Sequence, residues 1–508
     1  MRKKLFIVIL SLAMILSACS SGSSKTDEKT LNVAVAADAT SLDPISYNDD
    51  FSENVMKQIF QGLLAKTADN KIVNCLAQSI EKPDDLTFII KIKDGVKFSN
   101  GDDLTVDDVI FSLDRVAGSD QYGYVFQSID RNSFEKIDDK TFKFKLKEAD
   151  ATIMEALAGP SGAIVQQKDV EAKGEKFAQE PMGTGLFKID SWTKLDTISL
   201  SKNENYWQEA PKIDKIVLRV VPEASQRLIE LESGNVDIAY QIAPNDIKKV
   251  EENKDLSLMR RLDNSVHFIS LNVSKPPFDN IKAREAMDYA LDMETIFNTV
   301  FMGVGKLATS PVNPNFSYSI ADQIQPIKQD KEKAKELFAE AGVKPGTLLK
   351  IYVNENQQRN DVAAMMQEQL KEYGIDLQIV KLEWGAMVEA LKAKEDDMFI
   401  MSWSPSAHDT HYEFFSPYHS NKAGQGPNYS AYTNPEMDKL IIEGLHTTDE
   451  NKRAEIYKAA QELAIKDKPY KYIHYGETVV GIKNTIEGFE LLPTYAQNLW
   501  NLSFKESK

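Results

Sequence analysis

The chain has 508 residues, 42% hydrophobic and 27% charged, with a formal net charge of −17. A surface this acidic repels nucleic acid and anionic headgroups. The length exceeds the ~250–300 residues at which a single core stops growing, so two or three lobes are expected.

Arg2, Lys3 and Lys4 open the chain, and an apolar run follows from Leu5 to Leu16, broken only by Ser11. The run is too short for a membrane span, which needs about 20 residues, and it has the shape of a secretory signal peptide. It ends in Leu16-Ser17-Ala18-Cys19, which resembles a bacterial lipobox. That resemblance implies cleavage before Cys19, a diacylglycerol anchor on its sulfur and attachment to the extracytoplasmic face of the cell membrane; an ordinary signal peptide is the alternative. No later segment has the apolar length of a transmembrane helix. Loss of residues 1–18 removes three positive charges and leaves −20. The other cysteine, Cys75, would then have no internal disulfide partner and is expected to be a buried small apolar residue. Residues 20–30 are small and polar and read as a flexible tether.

The folded part is expected to begin at Leu31, where 31–36 alternate as a strand does. Residues 87–93, 141–147 and 215–221 are further strand candidates; Phe142, Phe144 and Leu146 share one face. Helical spacing is clearest after Asp330, which can cap a run closed by Gly342, then over 361–373 with Gly374 as the stop, and over 451–466. Short elements of both kinds in irregular order predict mixed α/β or α+β lobes. No Gly-x-Ser-x-Gly elbow or His-Glu-x-x-His pair is present. Gly303-Val-Gly-Lys306 lacks the first glycine and the Ser or Thr of a phosphate loop. Neither an enzyme nor a resident cofactor is expected.

Four segments carry a resemblance. In 93–113, Asn100-Gly101 makes a turn and Thr105 with Asp108 makes a capping box. Pro181-Met-Gly-Thr-Gly-Leu-Phe187 places glycines two and four positions after a proline, reading either as a tight turn or as a ligand contact. Asn203-Glu-Asn-Tyr-Trp207 precedes a helix-like stretch ending at Gly234. Asn272 is followed by Pro277-Phe278 and a helix containing Arg284, expected as a structural ion-pair partner. Together and in this order they resemble the extracytoplasmic solute-binding proteins (family 5) of oligopeptide, dipeptide and nickel ABC importers. The resemblance implies a periplasmic-binding-protein-like, two-lobed Venus-flytrap fold that closes on its ligand by a hinge. Lobe I is expected at 31–55, 180–265 and 485–508, an inserted subdomain at 56–179 and lobe II at 266–484. It also implies a monomer that delivers a short peptide to an ABC permease and its ATPase subunits.

The same resemblance points to 398–415 as a pocket loop. Trp403 is a candidate for stacking on the ligand. The family aspartate that binds a peptide's α-ammonium falls at Ser406, with Asp409 three residues further on. Ser404 and His408 complete that candidate set. Arg359, placed just before the helix expected at 361, is a candidate for a ligand carboxylate, and Tyr47 and Asn48 belong to a loop that lines the cleft in relatives. Trp384 and Tyr432 are further aromatic candidates. Three other readings remain open: a glutathione-like tripeptide, nickel or a metallophore held by His408 and His411, and a ligand-sensing receptor.

Overall fold

The computed structural model describes residues 28–405 and 407–505. The expected signal peptide, Cys19, most of the tether and Ser406 lie outside them. Among the described residues no helix is long and apolar enough to cross a membrane.

One large mixed sheet runs through the molecule. Its strands are β1 (Thr30–Val35), β2 (Phe187–Thr193), β3 (Thr197–Lys202), β4 (Lys215–Val220), β5 (Ile238–Tyr240), β6 (Leu256–Leu271), β7 (Thr347–Val353), β8 (Ile375–Lys381), β9 (Met398–Trp403) and β10 (Tyr470–Lys483). They lie in the order β8-β7-β9-β6-β10-β5-β1-β4-β3-β2. β1 is central and runs parallel to both β4 and β5, so its apolar residues are buried, as strands covered on both faces require.

A separate antiparallel sheet has the order Ala77–Glu81, Thr87–Ile92, Thr141–Leu146, Ile129–Lys136. Phe142, Phe144 and Leu146 turn inward from it, as their alternation predicts. Each contributes roughly 1.5–3 kcal/mol by leaving water. The helices that matter below are α1 (Asp50–Ile59), α2 (Val106–Ala117), α3 (Lys331–Glu340), α4 (Gln357–Leu370), α5 (Thr410–Tyr418) and α6 (Glu450–Asp467). α2 begins with the expected capping box of Thr105 and Asp108. α3 is capped by Asp330. α4 starts earlier than expected because Asn356, rather than a residue near 361, caps it: its side chain accepts the Arg359 N–H at 3.0 Å. Arg359 therefore sits in the first turn of the helix. Arg284 donates to the carbonyls of Asp467 at 2.8 Å and Phe278 at 2.7 Å, so carbonyl oxygens take the place of the expected ionic partner.

The apolar interior divides into lobes. One cluster gathers residues from Leu31 to Leu218 with Val480, Ile482, Leu499 and Leu502. Another runs from Ile269 to Ile400 with Ile473. β6 and β10 contribute to both sides, their first and second halves facing different cores. The two strands pair as far as Leu262 with Glu477, and resume at Val266 with Tyr475. Residues 263–265 thus bulge opposite Gly476, and the backbone passes between lobes there. A bulge bends a strand and increases its twist, which suits a hinge. The lobes also meet through α5: the Tyr412 hydroxyl is 3.0 Å from the Thr152 hydroxyl and donates to the Val125 carbonyl at 3.3 Å. Nearby the Ala151 N–H donates to the Leu445 carbonyl at 2.9 Å.

Candidate functional site

A cavity of about 670 Å³ lies between the lobes, within the range of small-ligand sites. Four elements build its charged part. The Tyr47–Asp50 loop enters α1, where Asp50, Glu53 and Lys57 recur at helical spacing and line the cavity. The β6 bulge adds Asp263, Asn264 and, beyond it, His267. β9 and the loop after it add Ser402, Trp403, Ser404, Pro405 and His408. The C-terminal segment adds Tyr495, Asn498 and Trp500.

α1 is held at both ends. Asp49 caps its start, accepting from the Ser52 N–H at 2.7 Å and the Ser52 hydroxyl at 2.7 Å. At its other end the Ile59 carbonyl accepts from the Gly185 N–H at 2.8 Å. A Cβ on Gly185 would lie 2.5 Å from that same oxygen and 2.6 Å from the Gln58 carbonyl oxygen. The two-glycine segment after Pro181 is therefore a close backbone approach that closes α1, and neither glycine is among the cavity-lining residues.

Several lining carboxylates are already engaged. Glu477 accepts from Arg260 at 2.9 and 2.7 Å and from the Gly305 N–H at 2.7 Å. Glu155 pairs with Lys66. Asp263 uses one oxygen for the Ser265 N–H and hydroxyl, at 2.8 and 2.5 Å. Asp50 and Glu53 have no such partners among the described residues. Burial, then Asp263 and Asp49, push the Asp50 carboxyl up to about 6. Burial and Asp50 push Glu53 up to about 7 against the pull of Lys57. Burial lowers Lys57 in turn. Asp50 lines the cavity yet is solvent-exposed, so water moderates its shift more than that of the half-buried Glu53.

The structure brings Tyr47, Asn48, Trp403, Ser404 and His408 of the sequence-derived set to this cavity. Trp403 is half-buried and donates its indole N–H to the Tyr412 carbonyl at 3.1 Å, which fixes its plane. Arg359 stands behind the wall: its guanidinium donates to Ser402 Oγ at 3.2 Å and to Asn354 Oδ1 at 3.2 Å. It has no carboxylate partner among the described residues, and burial lowers it to about 10.

Asp409 is a correction. It is buried away from the cavity, where both its oxygens accept from Arg453 at 2.8 and 2.7 Å, and it caps α5 through the His411 N–H at 2.7 Å. A carboxylate that Arg453 already neutralises and that does not line the cavity is not placed to meet a ligand ammonium. The histidine pair also separates. His408 lies in the wall, with Nδ1 2.8 Å from Asn264 Nδ2 and its ring stacked on Phe316, whereas His411 is buried against Tyr412 and Phe415. Burial drives both down to about 3. Among the described residues no three His, Cys, Asp or Glu side chains converge as a metal site requires. Tyr432 is committed to Asp467 at 2.6 Å, and Trp384 is exposed outside the cavity. Cys75 is not sealed in the core: it is half-buried at the cavity wall, its thiol pushed up to about 11 by burial.

The model for bacterial extracellular solute-binding proteins, family 5, matches residues 71–425. The chain belongs to this family. It is therefore a binding component of an importer and not an enzyme. The chain is 31% identical over 480 residues to the glutathione-binding protein GsiB of Escherichia coli strain K12, covering 92% of each chain. The oligopeptide-binding protein AppA of Bacillus subtilis, solved with a nonapeptide, superposes with a TM-score of 0.82 at 28% identity over 94% of this chain and 99% of its own. NikA of Staphylococcus aureus, solved with Ni(L-His)2, gives 0.81 at 25% over 94% and 100%. Family membership explains why α1 and the C-terminal segment, which sequence reasoning passed over, meet the pocket loop across one cleft. The signal available was the i, i+3, i+7 spacing of Asp50, Glu53 and Lys57, which also describes an ordinary solvated helix face.

The bulge gives a test of hinge and site together. A Cβ on Gly476 would meet Ser265 Oγ and come within 2.6 Å of Asp263 Oδ1. Gly476→Ala is expected to displace the Asp263 carboxylate and weaken ligand binding about tenfold while lowering the melting temperature by only a few degrees. Calorimetric titration beside thermal unfolding separates the two effects; an unchanged affinity would remove Asp263 from the site.

Proposed function

We propose that this protein captures a short peptide between its lobes and hands it to an ABC permease, held at the extracytoplasmic face of the membrane by a lipid on Cys19. The observation that supports this best is the cavity between the lobes, which presents carboxylates that no cation pairs and has, just behind its wall, a guanidinium that no carboxylate pairs. Asp50 and Glu53 are available to an ammonium, and Arg359, behind Ser402, to a carboxylate. A zwitterionic peptide needs both, because an enclosed charge without a partner costs too much desolvation. Tyr47 and Trp403 supply aromatic surface for the chain between the termini.

A glutathione-like tripeptide is the second reading, and the GsiB relatives favour it. The test is to express residues 20–508, purify without added ligand, denature, and identify what is released by mass spectrometry. Peptides of a narrow length range support the main reading, and glutathione alone the second. If neither is released, and calorimetry with dipeptides to pentapeptides shows no binding, the peptide reading fails. The anchor is tested separately: metabolic labelling with a fatty acid should mark the full chain and not Cys19→Ser.

A further inference from the structure

Four cavity carboxylates have no cation paired with them: Asp49, which caps α1, Asp50 and Glu53 on α1, and Asp263 on the β6 bulge. Lys57 is the one lining cation near them that is not already paired within the described residues, since Lys66 is taken by Glu155. One α-ammonium would therefore still leave a negative excess. The uncharged groups alongside also call for a donor-rich cation. Tyr47 is only 3% exposed, lines the cavity and has no partner in bonding geometry for its hydroxyl. Tyr122 stacks on its ring at 4.8 Å but spends its own hydroxyl on the Tyr47 carbonyl at 2.9 Å. Among the charges acting on the Tyr47 hydroxyl, Glu53 comes first. Asn498 Oδ1, also lining the cavity, is a second buried acceptor without a partner.

We propose that the cavity selects peptides bearing a second positive charge near the amino terminus, with Asp50, Glu53 and Asp263 as the specificity-determining residues. This rests on the peptide reading above and narrows it to basic peptides, against the anionic glutathione. Binding such a cation drives protons off the carboxylates that burial and mutual repulsion raise, Glu53 to about 7 and, moderated by its exposure, Asp50 toward about 6. The other ionisable groups acting on them are Asp49 and Lys57 on the same helix segment, Glu477 from β10 acting through Asp263, and Lys66 acting through Lys57. The carboxylates must be ionised to hold the cation. Affinity therefore rises with pH through 6–7 and levels off above, with proton release on binding in that window.

The experiment is calorimetric titration of residues 20–508 with Lys-Ala-Ala, its Nε-acetyl-lysine analogue, Ala-Ala-Ala and glutathione at pH 7.5. Lys-Ala-Ala is expected to bind about 30-fold more tightly than the acetylated analogue, which keeps the shape and loses one charge. Asp50→Asn and Asp263→Asn should each shrink that ratio severalfold, beyond any weakening of Ala-Ala-Ala itself. Lowering the pH to 5.5 should weaken Lys-Ala-Ala more than Ala-Ala-Ala. Equal affinities for Lys-Ala-Ala and its acetylated analogue, or a preference for glutathione, overturn this proposal while leaving the protein a peptide binder. Failure of all four probes to bind counts against the peptide reading itself.

Discussion

Replacing Arg453 with methionine is expected to cost about 3–5 kcal/mol of unfolding free energy, the penalty for leaving a buried charge without its partner. Asp409 is 8% exposed and Arg453 4%. The guanidinium makes two short bonds to the carboxylate and a third, at 2.9 Å, to the Gly444 carbonyl, and it lies over the Tyr457 ring at 5.2 Å. The pair thus joins the start of α5 to α6. Burial alone would raise the Asp409 carboxyl, but Arg453 more than offsets this and holds it below the usual carboxylate range. The sign of the linkage follows. A depressed folded-state value contributes stability above the unfolded value near 4, and that stability is lost as the pH falls through the folded value. Urea unfolding at pH 7 should show the full penalty in Arg453→Met, and the parent's advantage should be lost as the pH falls below about 4. Ligand affinity of the folded fraction should be unchanged, because neither residue lines the cavity. A loss under 1 kcal/mol at pH 7 would show that Asp409 finds another way to be neutralised.

The second large effect is expected from Gly185→Val. The position has no room for a side chain, since even a Cβ would sit inside contact distance of two carbonyl oxygens at the end of α1. Either the Phe187-led strand or α1 must move, at a cost of about 3 kcal/mol. Unlike the Arg453 variant, this one should also lose ligand, because α1 carries Asp50 and Glu53. Thermal unfolding and titration should therefore fall together. Normal affinity in a destabilised variant would mean that the strand yields and the helix does not.

The contrast between these sites explains what the sequence disclosed. Local chemistry was legible: the Thr105 capping box, the alternation at 141–146, and Asp330 before α3 are each settled within a few residues. The start of α4 was not, because Asn356 and Asp361 are equally suited to capping and the first turn has no apolar residue to decide between them. The site divides the same way. Tyr47, Asn48, Trp403 and Ser404 could be placed because family pattern marks their loops. Asp409 was misplaced because its occupant, Arg453, lies 44 positions away, and nothing near Asp409 records that its oxygens are taken. The acids of α1 look like a wetted surface until the β6 bulge is set against them.

β10 also fixes when the molecule can mature. It completes the first core through β5, where Ile238 pairs with Ile482, and the second through β6, where Ser270 pairs with Tyr470. A chain that emerges amino terminus first must therefore leave both sides of the sheet incomplete until β10 arrives, about 200 residues after β6, and contacts this distant in sequence form slowly. Neither half can lock early. A polypeptide that has to be threaded unfolded through a narrow channel gains from this, because the strand that seals it comes through after every other strand of the large sheet.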